Sequence, residues 1–458
     1  MGKMNNSTES FRPKTCTWEL TRRCNLDCHH CGTRAGKPRE DELDRESALR
    51  VMGELAALGC EKVTLSGGEP ILSPDWEAIA AEGTRLGVRV NMITNGLRID
   101  TDLVKRAKEA GLRSLGVSLD GLEAGHDHLR GREGMFQRVQ EVVDLCNDEK
   151  LPVGVITTVW KGNMHQLDEM AELLTGRVYV WQVQLGESMG NLSDHADDLL
   201  EPKDLLHVIP DLARIAQDGR VKLCVADNFG YYGKHEMAIR SRGKKTNRAW
   251  GGCKAGLRHL GIEADGGVKG CLSLQSTTVT EGNLHDESLA DIWFREGAFA
   301  YNRDFSVDNL AGFCRSCRYA AVCRGGCYSA RTCEGGVENT YCYHRVDVLS
   351  KRANVRKTLT RALAPAALAA LVSMTTACPA DAYGLPDDAY GLPDADADAD
   401  ADFDPDADAV NYDAYGFPAD ADAEDADLYG IFDADHDEDV NIYGVPDADA
   451  DADADADA

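Results

Sequence analysis

Thr17-Trp18-Glu19-Leu20-Thr21-Arg22-Arg23-Cys24-Asn25-Leu26-Asp27-Cys28-His29-His30-Cys31 is the stretch on which the architecture turns. Thr17 to Leu20 reads as a strand, and shortly after it come three thiols within eight residues, spaced Cys-x3-Cys-x2-Cys. Three thiolates so close together can hold three irons of a cubane cluster, leaving a fourth iron open to a substrate or cofactor. A zinc knuckle is the alternative reading at this point, although such sites usually draw on a distant second pair of ligands.

Outward from this loop the chain alternates strand and helix patterns. Asp44 is placed to cap a helix in which Leu49, Met52, Leu55 and Ala56 recur at helical spacing until Gly59 stops it. Further strands are expected at Lys62 to Ser66, Val88 to Ile93, Ser114 to Leu119, Val153 to Val159 and Val178 to Leu185, each pair separated by a helical pattern. With the first strand this makes six βα units, hence an α/β fold with parallel strands inside and helices outside. Six units imply a partial (β/α)6 TIM-like barrel, with its active site at the C-terminal ends of the strands.

The formal net charge of −29 comes from the C-terminal end. Residues 379–458 hold 28 Asp or Glu and no Lys or Arg, so the rest carries 78 − 28 = 50 acidic against 49 basic groups. A nearly neutral body has no basic field for a phosphate backbone, and nucleic-acid binding is not expected. Met1 to Lys14 is polar, which points to a reducing cytoplasm, where clustered cysteines serve more often as metal ligands than as disulfide partners. The apolar run from Ala362 to Ala377 is short for a membrane span, so membrane association is not expected.

Two further motifs fall where strands end: Gly67-Gly68-Glu69-Pro70 after the second and Thr94-Asn95-Gly96 after the third. In that order with Cys24, Cys28 and Cys31, they resemble the radical S-adenosylmethionine (SAM) superfamily. The resemblance implies a [4Fe–4S] cluster on Cys24, Cys28 and Cys31 whose open iron chelates SAM, and reductive cleavage of SAM to a 5′-deoxyadenosyl radical. It further implies that backbone groups from Gly67 through Gly68 and Glu69 to Pro70 hold the methionine amino group. Asn95, Ser118, Asp120 and Arg130 would complete the cofactor site, and His30, where relatives often have Tyr or Phe, would lie against adenine. His29 reads as a solvent-facing loop histidine. No catalytic base is singled out, since hydrogen abstraction by a radical needs none.

A second cysteine set runs Cys253-x12-Gly266-x4-Cys271, then Cys314-x2-Cys317-x5-Cys323-x3-Cys327, and closes at Cys342. It resembles the SPASM extension of radical SAM peptide and protein maturases, which binds two auxiliary [4Fe–4S] clusters. By that resemblance Cys253, Cys271 and Cys327 hold the first cluster, with its fourth ligand undetermined. Cys314, Cys317, Cys323 and Cys342 hold the second, zinc being the alternative there. Cys16, Cys60, Cys146 and Cys224 sit in strand or helix patterns and read as buried apolar residues. Leu272 follows Cys271 where sulfatase maturases carry Asp, which argues against that subgroup.

The expected organisation is a disordered N-terminus (1–14), a barrel core (15–190), a bridging segment (191–250), a SPASM domain (251–345), a basic then Ala-rich signal-like helix (346–378) and a disordered Asp-Ala tail (379–458). The tail repeats Tyr-Gly followed by an apolar residue at Tyr383, Tyr390, Tyr415, Tyr429 and Tyr443. Such repeats resemble the cores of ribosomal peptides modified by SPASM enzymes. The expected partners are therefore a peptide or protein substrate, with the tail in cis as one candidate, and an electron donor such as a flavodoxin or ferredoxin. The competing readings are a tail that only solvates or loosely binds calcium, and a non-catalytic iron–sulfur electron carrier. The carrier would leave Gly67-Gly68-Glu69-Pro70 unexplained.

Overall fold

The computed structural model describes residues 11–240, 249–333 and 336–374, with the backbone alone for 333 and 359–374. Six strands, β1 (Thr15–Glu19), β2 (Lys62–Ser66), β3 (Arg89–Thr94), β4 (Leu112–Ser118), β5 (Val153–Val159) and β6 (Val180–Leu185), pair in chain order, all parallel. Parallel neighbours need a crossover. The crossovers hold α1 (Arg45–Ala57), α2 (Trp76–Arg85), α3 (Thr101–Glu109), α4 (Glu123–Arg130), α5 (Met135–Asp148) and α6 (Leu167–Leu174). Asp44 caps α1 as expected, accepting from the Ser47 amide, and Gly59 follows the helix with φ +84°.

Side chains alternate along each strand. Cys16 and Trp18 of β1, Val63 and Leu65 of β2, Leu115 and Val117 of β4, and Val153 and Val155 of β5 belong to the main apolar core. Their neighbours Thr17, Glu19, Ser66, Ser118, Ile156 and Thr158 line a cavity instead. The mostly polar set thus surrounds the future site, while the helices close the apolar face. Cys16, Cys60, Cys146 and Cys224 are all buried, in line with their reading as packing residues.

The sheet continues beyond six strands. β7 (Leu223–Val225), between α7 (Leu205–Asp218) and α8 (Glu236–Arg240), pairs in parallel with β6. β8 (His259–Ile262) pairs in parallel with β1, and β9 (Gly267–Lys269) and β10 (Gly282–Asn283) follow antiparallel. The ten-stranded order is β10-β9-β8-β1-β2-β3-β4-β5-β6-β7, an open curve with β7 and β10 as its edges. Residues read as a bridge therefore contribute a barrel strand, and the cysteine-rich segment is joined to the barrel through β8. Three-residue strands show no period in a sequence, and the Thr15–His259 register joins residues 244 apart.

Residues 11–14 correct the expectation of a disordered start. Trp293 Nε1 donates to the Phe11 carbonyl at 2.9 Å, and the Lys14 amide donates to the Arg258 carbonyl at 2.7 Å. Residues 1–10 and the tail 379–458 with its Tyr-Gly motifs lie outside the described residues. The described residues up to Val346 form one compact unit. The C-terminal helix runs Tyr343–Met374, starting three residues before the span expected to be helical, and carries an i,i+4 pair between Lys351 and Asp347 at 2.8 Å. No helix among the described residues is long and apolar enough to cross a membrane.

Candidate active site

The loop that leaves β1 is tied to the turn that leaves β2 by backbone pairing: the Leu20 amide donates to Ser66 O, the Gly68 amide to Thr21 O and the Glu69 amide to Arg23 O, at 2.8–2.9 Å. The approach is so close that a Cβ on Gly68 would sit 2.3 Å from the Arg23 carbonyl oxygen. On Gly67, at φ +148°, it would sit 2.4 Å from Thr21 O. Only glycine fits either place. Gly68→Ala is expected to destabilise the fold by about 1–3 kcal/mol, the usual scale for overpacking. Thermal unfolding checks this, and a midpoint equal to wild type would contradict it.

Glu69 lies behind two residues of the cavity wall, Thr94 and Asn95, and is not itself part of the lining. Its carboxylate, fully buried, accepts from Thr94 Oγ1 and from the Asn95 amide, both at 2.8 Å, and so joins the second motif to the third. Burial pushes its pKa up to about 7 against the pull of those two bonds. Asn95 closes the triangle, donating from Nδ2 to Asn25 Oδ1 at 2.7 Å in the thiol loop. The three motifs are thus one hydrogen-bonded unit. Pro70 opens a 3-10 turn to Leu72 and is buried.

Cys24, Cys28 and Cys31 all line one cavity of about 240 Å³, and pack with Leu26, Leu97 and Met135. Gly67, Gly68, Asn95, Ser118, Asp120, Arg130 and His30 line the same cavity. Burial pushes the Cys28 thiol up to about 11 even though the Arg130 guanidinium, 3.9 Å from its sulfur, pulls the other way. The Ala35 amide donates to Cys31 Sγ at 3.2 Å.

Asp120 is completely buried at the end of β4. Arg130 Nη2 donates to its Oδ2, and the Thr158 amide donates to Oδ1 at 2.7 Å. Burial is the largest influence on Asp120 and would raise its pKa, yet Arg130, the His30 and His126 rings and the Thr158 amide together outweigh it and hold the carboxyl below the usual carboxylate range. His30 Nε2 faces the same carboxylate at 3.6 Å. Burial lowers the His30 pKa to about 4, so at neutral pH it stands there uncharged. His29, expected in solvent, is half-buried instead, its ring 4.8 Å from those of both His195 and His128.

The second cysteine set divides in two. Cys314, Cys317, Cys323 and Cys342 line one small cavity of about 20 Å³ with Tyr232, Tyr319 and Asn339. Cys253, Cys271 and Cys327 are buried with Tyr231 and Trp250 in an apolar cluster that Cys323 also joins, the three close enough that their charges act on one another. Burial raises Cys271 and Cys342 to about 12. In isolation these would be neutral thiols, and a thiolate here needs a cation to compensate it.

Glu187 escaped the sequence reading. It follows β6, lines the 240 Å³ cavity and accepts from Asn228 Nδ2 at 2.7 Å and Ser329 Oγ at 2.8 Å. Its charge also acts on Cys271 and Cys327. Its place just after a barrel strand was the one available signal. Leu272 reaches the same cavity and supplies an apolar wall.

The family model of the Radical SAM superfamily matches residues 18–174, and that of the SPASM iron–sulfur cluster-binding domain matches residues 253–318. An AdoMet-dependent heme synthase of Methanosarcina barkeri is 29% identical over 349 residues, 73% of this chain and 97% of the relative. A PqqA peptide cyclase of Methylocella silvestris is 27% identical over 71% of this chain and 85% of the relative. Among solved structures, Streptococcus suis SuiB bound to S-adenosylmethionine superposes with TM-score 0.59 over 73% of this chain and 78% of SuiB, at 18% identity, a likeness of fold. The three motifs joined at the strand ends, the two further cysteine groups and these matches agree: this chain belongs to the radical SAM superfamily, carries a SPASM domain, and has [4Fe–4S] clusters and S-adenosylmethionine as its cofactors.

Proposed function

We propose that this protein modifies a peptide by hydrogen abstraction, holding its SAM-binding cluster on Cys24, Cys28 and Cys31 and two auxiliary clusters on Cys253/Cys271/Cys327 and Cys314/Cys317/Cys323/Cys342. The observation that carries the reading is the single cavity at the strand ends, into which the three loop thiols and the polar strand residues both face. When bound, the cluster and SAM supply the radical chemistry of the superfamily, and a flavodoxin- or ferredoxin-class donor supplies the electron.

The chain's own groups suit these cofactors. Arg130 directs an N–H donor at Cys28, which favours a thiolate there where burial alone would keep the thiol protonated, and the Ala35 amide donates to Cys31 Sγ. The amides of Gly68 and Glu69 are committed to Thr21 and Arg23, so that turn can offer an ammonium group only its carbonyl oxygens, the acceptors an ammonium requires. Asp120, oriented by Arg130 and Thr158, and Ser118 stand ready to receive hydroxyl groups of a ribose. Leu272 and Met189 supply apolar contact for a side chain of the substrate.

A peptide substrate is favoured by the peptide cyclase relative and by the five Tyr-Gly motifs in the tail, which is the first substrate to test. Incubation with SAM and dithionite, followed by mass spectrometry of tail peptides, should show mass changes confined to those containing Tyr383, Tyr390, Tyr415, Tyr429 or Tyr443. Each should vanish singly on Tyr→Ala replacement. An unchanged tail while SAM is consumed on a separate peptide would remove the cis substrate and keep the peptide chemistry. Turnover of an iron porphyrin and of no peptide would move the assignment toward the heme synthase relative.

A further inference from the structure

Beside the cysteine loop lies a group of side chains that the reaction does not use. His29 of the loop, His128 on the exposed side of α4 and Asp198 in the 3-10 turn Ala196–Asp198 each offer one ligand atom, and these atoms all lie within 4.8 Å of one another. His29 Nδ1 is buried without a hydrogen-bond partner, a position that costs free energy unless something occupies it. The His195 ring stacks on that of His29 at 4.8 Å and 21°, and the Trp160 ring lies beside that of His128 at 5.9 Å, so each imidazole has a flat neighbour.

We infer that His29, His128 and Asp198 form a divalent transition-metal site of the two-histidine, one-carboxylate class, suited to Zn2+, which clips the segment after β6 onto the cysteine loop. Two imidazoles and a carboxylate with a fourth position for water is a donor set that zinc takes readily. Bonds of about 2.0–2.2 Å in a tetrahedron place ligand atoms about 3.4 Å apart. The present spread closes to that by side-chain rotation, for which exposed His128 has room.

The consequence follows from what the three residues are attached to. Already the Asn191 amide donates to Cys31 O, Asn191 Nδ2 donates to Cys28 O, both at 2.9 Å, and Arg34 pairs with Asp194 at 2.6 Å. Met189 and Leu192 of the same segment line the 240 Å³ cavity. A metal joining Asp198 to His29 and His128 would fix that wall, and its loss would loosen it without touching the thiols.

The test uses the full-length protein with its clusters reconstituted anaerobically, equilibrated with Zn2+ in a competing chelator and desalted. Elemental analysis should find about one zinc per chain more in wild type than in His128→Gln or in Asp198→Asn, with iron content and far-UV circular dichroism unchanged as controls on folding. Hydrogen exchange across residues 187–198 should slow on zinc addition in wild type alone. Equal zinc in wild type and both variants would place the metal on cysteines and overturn the site, as would a wild type that takes up none. Because the readouts are zinc and amide exchange, they stand or fall independently of the peptide reaction.

Discussion

Replacing Cys24, Cys28 and Cys31 together by Ala is expected to remove about four irons per chain and to reduce 5′-deoxyadenosine formation to background. The auxiliary clusters should persist, because their thiols lie in separate apolar groups and share no ligand with the first cavity. Iron and sulfide analysis with chromatography of the SAM products measures both halves. Deoxyadenosine production surviving in the triple variant would defeat the assignment of these thiols. Loss of all iron would show instead that the clusters depend on one another for folding.

Arg130→Met should be the most damaging single change away from the cysteines. It would strand Asp120, which has no exposed surface and whose charge Arg130 compensates from within hydrogen-bond reach. Breaking a buried pair by removing one partner costs about 3–5 kcal/mol, which in a compact unit of this size lowers the unfolding midpoint by roughly 4–7 °C. Asp120→Asn with Arg130→Met should recover part of that, since no uncompensated charge is left. The folded-state pKa of Asp120 is depressed, so the stabilisation is present in full above its unfolded value of about 4 and is lost as the pH falls below it. The difference in midpoint between wild type and Arg130→Met should therefore be flat from pH 6 to 8. A midpoint shifted by less than about 2 °C would show that water, not Arg130, serves Asp120.

Much of the site was legible because its parts are local. Cys24, Cys28 and Cys31 lie in one loop, Gly67 to Pro70 in one turn, and each follows a strand whose alternation of polar and apolar residues is visible in a window of a few positions. What was read differently is non-local. Glu69 and Asn95, expected at the cofactor, also tie the three motifs to one another, with partners about 25 and 70 residues away. His29 left solvent because residues from α4 and from the turns after β6 close over it.

Composition, periodicity and motif spacing by themselves determined the α/β class, the six βα units, the strand ends at which the candidate site lies and the two stretches in which cysteines cluster. Those are properties of windows shorter than a βα unit, where backbone propensity and side-chain period act directly. The tertiary structure alone decided that β7 extends the barrel and that β8 joins the cysteine-rich segment to β1. It also gathered Cys314, Cys317, Cys323 and Cys342 around one small cavity, buried Cys253, Cys271 and Cys327 together in an apolar cluster, and brought Glu187 of the main cavity near Cys271 and Cys327. These depend on contacts between residues far apart in the chain, which only the closing of the sheet and the burial of its apolar face bring into being.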